Sequence, residues 1–496
     1  MNVPVLSLLV FLPVAGACVV ALMPRREGVL RGTALVFVFA TLLVAGAVFS
    51  RFPTGAAGFA FVERAPWIPA LGIGYHLGID GISLLLVLLT ALLFFAALVG
   101  TWDAVRHRLK EYLALLLLLE GAILGTFLAL DLVLFYVFWE AVLIPMYFLI
   151  GIWGAERRSY AAIKFFLFTM AGSVFMLLAI IGLYRETGTF DLVRLYELGV
   201  PSARQPLLFA AFALAFAIKV PVFPLHTWLP DAHTEAPTAG SVILAGVLLK
   251  MGTYGLVRFC LPLFPEAAEA AAPWMVALGL VGIVYGAAVA FAQADVKRLV
   301  AYSSVSHLGF VVLGTFVFTL QGLQGALLQM VNHGLSTGAL FLIVGILYER
   351  AHTRSMEGYG GVAKVMPTFA ALSLIVVFSS AALPGTAGFV GEFLILLGAL
   401  RADWRFAAVA AVGVVLSAVY LLWMVQKIYF GPVRVEAARF VTLRWGETLA
   451  LVVLVAAILW IGLYPAPLLN VSEPAAAGVL ERVEATTRSM SSDGSP

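Results

Sequence analysis

Residues 217–237 read AIKVPVFPLHTWLPDAHTEAP, and they follow the apolar run PLLFAAFALAF (206–216), which predicts a membrane helix. The stretch combines a lysine, four prolines, two histidines and two acidic residues, namely Lys219, Pro221, Pro224, Pro230, Pro237, His226, His233, Asp231 and Glu235. Proline has no backbone N–H and interrupts a helix. The sequence therefore predicts a membrane helix that carries a lysine and opens directly after it.

The composition is that of a polytopic membrane protein. Of 496 residues, 62% are hydrophobic and 11% are charged, and the mean hydropathy is +1.04. Soluble domains have about 25% charged residues. A net charge of +3 is too small to indicate nucleic-acid binding. The two cysteines, Cys18 and Cys260, give neither a metal-site spacing nor a disulfide framework. Without a nucleotide loop or a redox motif, any redox chemistry is expected on another chain.

The hydropathy pattern predicts an all-α protein of about fourteen transmembrane helices, since a span needs about 20 apolar residues. The first apolar run has no positive charge before it, so it is interpreted as a span and not as a signal peptide. The predicted spans are 3–23, 30–50, 81–100, 111–129, 132–152, 162–184, 206–226, 239–261, 273–293, 299–319, 324–347, 368–398, 406–428 and 447–468.

The basic residues predict the orientation. One set of loops carries 17 Arg and Lys residues and the opposite set, with the termini, carries 10, while Lys164, Lys219 and Lys250 lie in or at the edge of spans. Basic residues concentrate on the inner side, so both termini are predicted to face outward. The tail from residue 471 is Ser- and Ala-rich and is expected to be disordered at its end.

Seven ionisable residues fall within predicted spans, where each costs from about 2.5 kcal/mol upward. They are Glu120, Glu140, Lys219, Lys250, His307, His333 and Glu392. A single histidine of this kind is readily explained by an interhelical hydrogen bond, and a Lys–Glu pair by a structural ion pair. A series of seven acidic, basic and neutral groups over six or seven spans is typical of an ion pathway or proton relay.

Breaks in two spans accompany this series. Pro221 and Pro224 open the seventh span beside Lys219, and opened backbone at membrane depth requires protein or water around it. Lys250 follows on the next span, after the break-prone stretch APTAG (236–240). In the twelfth span, Pro384 and three glycines surround Glu392. The alternative is that these prolines only kink helices for packing.

The two breaks are related by an internal repeat. A shift of about 163 residues places Pro221 on Pro384 and SVFMLLAIIGLYRE (173–186) near GALFLIVGILYER (338–350). The shift covers five spans, so the copies would have opposite orientation, which is typical of transporters. The predicted segments are helices one to three (1–110), a first five-helix repeat (111–261), a second five-helix repeat (262–430), and helix fourteen with the tail (431–496).

Several stretches together resemble one family. They are YHLGIDGISLLLVLLT (75–90), LFYVFWEAVLIPMYFLIG (134–151), the segment 217–259, ADVKRLVAYSSVSHLGF (294–310), QMVNHGLSTGALF (329–341) and LPGTAGFVGEF (383–393). The chain resembles the antiporter-like membrane subunits of respiratory complex I, the proton-pumping NADH:quinone oxidoreductase. Within them it is most similar to the type called NuoM in bacteria and chain 4 in mitochondria.

The resemblance implies roles for the buried charges. Glu140 matches the fifth-helix glutamate and Lys219 the seventh-helix lysine that pairs with it, while Lys250 matches the central lysine on the eighth helix. His307 and His333 match the polar links between two half-channels.

Two acidic positions complete the resemblance. Glu392 matches the twelfth-helix glutamate, a position where NuoL- and NuoN-type relatives and sodium/proton antiporter subunits typically carry lysine, and Glu120 matches a secondary acidic position. The absence of a long lateral helix after the fourteenth span is also expected for the NuoM type.

The resemblance also implies a function. The chain would move protons from cytoplasm to periplasm in a bacterial inner membrane, driven by quinone reduction in other subunits. It would hold no cofactor and no metal, with FMN, iron–sulfur clusters and quinone on partner subunits, and NuoL- and NuoN-type chains as neighbours. The alternatives are a subunit of a multisubunit sodium/proton antiporter, a subunit of a hydrogenase- or ferredoxin-linked complex, and a non-transporting scaffold.

Overall fold

A computed structural model describes residues 4–55, 58–434 and 440–493, with side chains to residue 485. The amino-terminal part contains α1 (Val5–Leu22), α2 (Glu27–Arg51), β1 (Ala60–Ile68), β2 (Ile73–Ile79), α3 (Gly81–Gly100), α4 (Leu109–Leu128), α5 (Leu132–Trp153), α6 (Arg158–Thr187) and α7 (Leu192–Leu198). The central part contains α8 (Gln205–Lys219), α9 (Trp228–Glu235), α10 (Thr238–Leu263), α11 (Pro265–Phe291), α12 (Val296–Phe316) and α13 (Leu320–Ala351). The carboxyl-terminal part contains α14 (Val362–Val365), α15 (Pro367–Ser380), α16 (Ala387–Ala402), α17 (Trp404–Tyr429), α18 (Trp445–Leu463) and α19 (Ala466–Asp493).

The predominantly helical membrane architecture is confirmed. Among the described residues, 12 helices are long and apolar enough to cross a membrane, and each coincides with a predicted span. The two remaining predicted spans, 206–226 and 368–398, are interrupted helices: α8 is followed by α9, and α15 by α16. The breaks expected at the prolines are therefore present, while the count of fourteen transmembrane helices stays a prediction.

Helix positions agree with the predicted repeat. The helices that begin at Leu132, Arg158 and Gln205 correspond to those that begin at Val296, Leu320 and Pro367, with offsets of 162 to 164 residues. The match extends to α10 and α17, which differ by 166 residues at their starts. These offsets support the five-helix repeat, whose opposite orientation stays a prediction.

Aspartate side chains fix where five helices begin. Asp80, Asp131, Asp191, Asp295 and Asp403 each accept hydrogen bonds from first-turn N–H groups of the helix that follows. Such caps satisfy backbone donors that a helix start leaves free. We expect Asp131→Asn and Asp295→Asn to be tolerated, because asparagine also caps helices well.

A two-stranded hairpin was not predicted from the sequence. β1 and β2 pair antiparallel between α2 and α3. Glu63 on β1 accepts hydrogen bonds from the backbone of Leu6 and Ser7, at 2.7 and 3.0 Å, and so caps α1. The hairpin therefore anchors the first span. Hydropathy alone missed it because β1 is mostly exposed and both strands are much shorter than a membrane span.

The tail, expected to be disordered at its end, is helical up to residue 493, and residues 494–496 lie outside the described residues. Residues 466–493 form α19, a 28-residue helix after the last span. Val471, Ala475, Ala476 and Val479 are buried, and α19 packs against α3 and α13. The helix forms because its apolar residues recur at helical spacing and bury against the bundle. α19 packs on the bundle of its own chain, and the expected absence of a long lateral helix stays a prediction.

Candidate functional site

Lys219 is the last residue of α8, directly before the break. It is 1% exposed, and its Nζ lies 4.8 Å from the centroid of the Trp139 ring. Among the described residues, Nζ has no hydrogen-bond partner. A cation over an indole face is stabilised by the ring quadrupole. The aromatic ring therefore provides a stabilising contact for this amine.

Glu140 follows Trp139 on α5 and interacts electrostatically with Lys219. Its side chain is partly exposed, and its Oε1 is buried without a hydrogen-bond partner in the described part of the chain. The predicted pair is therefore close enough to interact, but it is not joined by a salt bridge. The interaction between two charges that are not in direct contact changes readily when a third charge nearby changes, because no salt bridge holds the pair together.

The opened backbone after Lys219 is enclosed by protein. Trp228 on α9 donates a hydrogen bond through Nε1 to the carbonyl oxygen of Ile218 at 2.9 Å. Val222 and Leu225 form backbone hydrogen bonds within the break. The opened backbone thus finds hydrogen-bond partners nearby in place of those in a regular helix. Backbone polar groups inside a membrane need such partners because no water is available there.

Lys250 lies in α10 between two π-helical turns, Leu244–Leu248 and Leu256–Cys260. It is fully buried, and its Nζ donates a hydrogen bond to the carbonyl oxygen of Ala245 at 2.5 Å. The same Nζ lies 2.6 Å from Nδ1 of His333 on α13. π-helical turns are frequent at functional sites. The structure thus places the predicted central lysine directly against one of the predicted histidines.

The contacts continue from His333 to Glu392. The rings of His333 and His307 are 5.9 Å apart between centroids. Nδ1 of His307 lies 2.9 Å from Oε1 of Glu392, which follows the break before α16. Sequence reasoning missed two further members of this cluster. Gln329 donates to Oε1 of Glu392 at 3.0 Å, and the hydroxyl of Tyr420 lies 3.4 Å from Nε2 of His307.

Glu120 lies apart from this series. It is 0% exposed on α4, and both carboxyl oxygens lack hydrogen-bond partners within the described residues. α4 packs mainly against α1. A buried carboxyl group without a partner is costly, so its position is unusual, but the structure does not join it to the other six residues.

Two histidines of the opening stretch are also buried, although sequence reasoning gave them no role. His233 is 0% exposed and stacks on Phe341 with ring centroids 4.3 Å apart. Both its ring nitrogens lack partners in the described part of the chain, and it interacts electrostatically with Lys250. His226 lies against Tyr285 and Tyr302. Their presence in an apolar segment was the signal that could have indicated them.

A second buried charge pair lies further along α10. Arg258 contacts Asp80 at 2.5 Å, and Nε of Arg258 donates to the hydroxyl of Tyr254 at 3.2 Å. Both charged side chains are at most 5% exposed. Because buried ions need partners, this pair fixes α10 to the start of α3.

Lys164, which the sequence placed inside a span, is paired. Its Nζ lies 2.7 Å from Asp231 on α9, and Arg298 on α12 contacts the other oxygen of Asp231 at 3.7 Å. Three helices therefore meet at Asp231, near the break that follows Lys219.

Comparisons with known proteins agree with this arrangement. Residues 129–417 match the family model described as NADH:quinone oxidoreductase/Mrp antiporter, TM. The chain is 44% identical to NADH-quinone oxidoreductase subunit M of Rhodobacter capsulatus, over 97% of each chain. It is similar to a chain of respiratory complex I from Thermus thermophilus with bound NADH, at 36% identity and a TM-score of 0.88, covering 96% of this chain and 99% of that one. A chain of the Mrp complex from Dietzia sp. shares the fold alone, at 23% identity and a TM-score of 0.87 over 97% of this chain and 100% of that one.

Proposed function

Since the chain belongs to the NADH:quinone oxidoreductase/Mrp antiporter transmembrane family, we propose that it is a proton-translocating membrane subunit of NADH:quinone oxidoreductase. The observation that carries this proposal is the line of contacts from Lys250 through His333 and His307 to Glu392. Titratable groups that follow one another closely inside a membrane protein are what a proton relay requires.

The mechanism follows from the surroundings of the two lysines. A nearby carboxylate favours the ammonium form of Lys219, and burial favours the neutral amine. When the Glu140 charge is compensated or moves away, burial dominates and Lys219 gives up its proton toward Lys250. Close contact of the end of α8 with the middle of α10 supports this step, since Gly252 leaves room for the carbonyl of Phe216, only 2.8 Å from where a Cβ would lie.

From Lys250 the proton passes to the imidazole of His333, which is already in contact with its Nζ. His307 then transfers it to Glu392, whose carboxylate accepts a hydrogen bond from Gln329. A gap of 5.9 Å between the imidazole centroids requires a small ring movement or one water molecule at that step. Exit to the outer side completes the transfer.

The energy comes from other subunits in this proposal. We place FMN, the iron–sulfur clusters and quinone on partner chains, and assign no redox chemistry and no cofactor to this one. NuoL- and NuoN-type chains are the proposed neighbours, and a bacterial inner membrane with both termini periplasmic is the proposed location. The proposed relay comprises Glu140, Lys219, Lys250, His307, His333 and Glu392, with Glu120 secondary.

A sodium/proton antiporter subunit is the second candidate, because the Mrp complex chain has the same fold. Glu392 distinguishes the two, since the resemblance associates lysine at that position with antiporter subunits. The higher identity to the complex I chain, 36% against 23%, favours the first candidate.

The experiment uses inverted membrane vesicles that contain the assembled complex with Glu140→Gln. We expect NADH-driven quinone reduction and proton uptake to fall together, because the variant removes the charge that holds the Lys219 proton. The matched control is Glu156→Gln, an exposed carboxylate outside the helices, which leaves both activities unchanged. Normal activity in a fully assembled Glu140→Gln complex would contradict the proposal.

A further inference from the structure

Two adjoining cavities open between three helix ends at one membrane surface. The larger, of about 510 Å³, lies among the end of α1, the start of α4 and the end of α5. The second, of about 360 Å³, lies beside it toward α2. Arg25, Arg108, Lys110 and Glu111 line both cavities. A polar recess of this kind at the end of membrane helices is in reach of lipid headgroups.

The cavities have a surplus of positive charge. Arg106 adds a fourth basic residue and Glu27 a second acidic one, so the linings carry four basic and two acidic residues. Glu111 contacts Arg25 at 3.3 Å and Arg108 at 4.0 Å. It thus holds both guanidinium groups at the recess through one carboxylate oxygen, and N–H donors of both arginines remain for a second anion. Guanidinium forks suit phosphate oxygens.

The wall that faces the bilayer is apolar. Ala114, Leu115, Phe148 and Ile152 line the larger cavity. Below them, Leu118 and Ile144 are 37% and 58% exposed, and Phe148 is 42% exposed. These side chains lie one to two helical turns apart on α4 and α5, so they form an apolar track that leads from the charged recess toward the membrane centre. A free phosphate ion would not contact this apolar track, whereas the acyl chain of a lipid would pack along it.

Two aromatic side chains pack together beside the recess. Trp153, at the end of α5, donates through Nε1 to the carbonyl oxygen of His107 at 3.0 Å, and Tyr112 packs edge-on against its ring. Tryptophan and tyrosine are typical of the headgroup level of a membrane. The recess itself lies where α1 and α5 end and α4 begins, which is the level of a membrane at which lipid phosphates occur.

We propose that the recess formed by Arg25, Arg108, Lys110 and Glu111 binds an anionic phospholipid, with the headgroup phosphate between the two arginines and an acyl chain along Leu115, Leu118 and Phe148. Charge complementarity selects the headgroup, and the apolar track selects lipid over a soluble anion. Basic recesses between membrane helices favour such headgroups in general.

The test uses the purified full complex in phosphatidylcholine nanodiscs that contain increasing amounts of phosphatidylglycerol with a photoactivatable acyl chain. We expect saturable cross-links to residues 114–118 and 144–152. Arg25→Gln with Arg108→Gln should raise the half-saturating lipid fraction about tenfold or more, since each basic residue near the surface contributes about a factor of five. Both side chains are more than half exposed, so the variant is expected to fold.

Two controls separate charge from structure. Arg25→Lys with Arg108→Lys keeps the charge and should retain most of the binding, and Arg401→Gln with Arg405→Gln changes two exposed arginines elsewhere and should leave it unaltered. Equal labelling by a phosphatidylcholine probe, unchanged labelling in the glutamine variant, or cross-links from these residues to another protein chain would overturn the proposal.

Discussion

At the residue scale, the two buried lysines differ in what holds their protons. Lys250 has a carbonyl oxygen and an imidazole nitrogen within hydrogen-bond distance of Nζ. Lys219 has an indole face and a loosely placed carboxylate instead. A hydrogen bond to a charged donor is stronger and more directional than a cation–π contact. The protonation state of Lys219 is therefore the more easily changed of the two. This property suits a residue at which a proton transfer begins.

Replacing Lys219 by alanine tests that role. We expect Lys219→Ala to abolish most coupled proton pumping while the complex still assembles, because the relay loses a titratable group whereas Nζ of Lys219 makes no hydrogen bond within the described residues. The measurement is proton uptake per quinone reduced in vesicles of matched complex content. Lys364→Ala, outside the predicted spans, is the control. Normal pumping by an assembled Lys219→Ala complex would exclude Lys219 from the relay.

The residues of the candidate site were largely predictable, because an ionisable side chain in an apolar run is conspicuous. Their partners were not. Gln329 and Tyr420 contact Glu392 and His307, yet an amide or a phenol in a membrane helix is common enough to pass unnoticed. Pairing depends on which helices are neighbours, and hydropathy does not encode that.

At the element scale, α8 can approach α10 closely because Gly252 has no side chain. A Cβ on Gly252 would lie 2.7 Å from Cγ2 of Val220 and 2.8 Å from the carbonyl oxygen of Phe216. The carbonyl belongs to helix backbone that cannot move without moving α8. Gly252 therefore sets the distance between the helix that carries Lys219 and the helix that carries Lys250.

Gly252→Ala should separate these helices. We expect a destabilisation of about 1–3 kcal/mol from overpacking, together with a reduced rate of proton transfer. Thermal unfolding of the purified complex and pumping in vesicles would measure the two effects. Gly46→Ala in α2, where a Cβ would meet no atom within 4 Å, should change neither. An unaltered melting temperature in the Gly252 variant would contradict the close approach.

Breaks and boundaries of helices were predictable where proline marks them, as in the segments after Lys219 and before Glu392. The hairpin between α2 and α3 and the helix α19 were not recognised. Both depend on burial against surfaces built by distant parts of the chain, Glu63 against the start of α1 and Val471 against α3. Local composition gives no measure of such burial.

At the scale of the whole molecule, Asp191 joins segments far apart in sequence. It caps α7 through the N–H groups of Val193 and Arg194, and it also contacts His76 on β2 and Arg64 on β1. Burial raises the pKa of Asp191, but the hydrogen bond from His76, the backbone N–H of Arg194 and the charges of His76 and Arg64 outweigh it, so the pKa lies below its ordinary value.

This shift predicts a pH dependence. A carboxylate with a lowered pKa in the folded state stabilises it fully above the ordinary aspartate value of about 3.9, and that contribution is lost as the pH falls through the folded value. We expect the protection of the Val193 and Arg194 amides from hydrogen exchange to decrease over this acidic range. The decrease should be absent in Asp191→Asn, which caps without titrating. If amide protection in Asp191→Asn depended on pH to the same extent, a titratable group other than Asp191 would be responsible.

The two π-helical turns beside Lys250 also affect how the length of α10 is compared between relatives. Each wide turn accommodates one residue more than an α-helical turn, and one residue corresponds to about 100° around a helix axis. Deleting a single residue from Leu244–Leu248 would therefore restore an ordinary turn and rotate everything before it relative to Lys250. A one-residue deletion in this helix looks trivial in a sequence alignment. It would nevertheless change which neighbouring residues Lys250 faces.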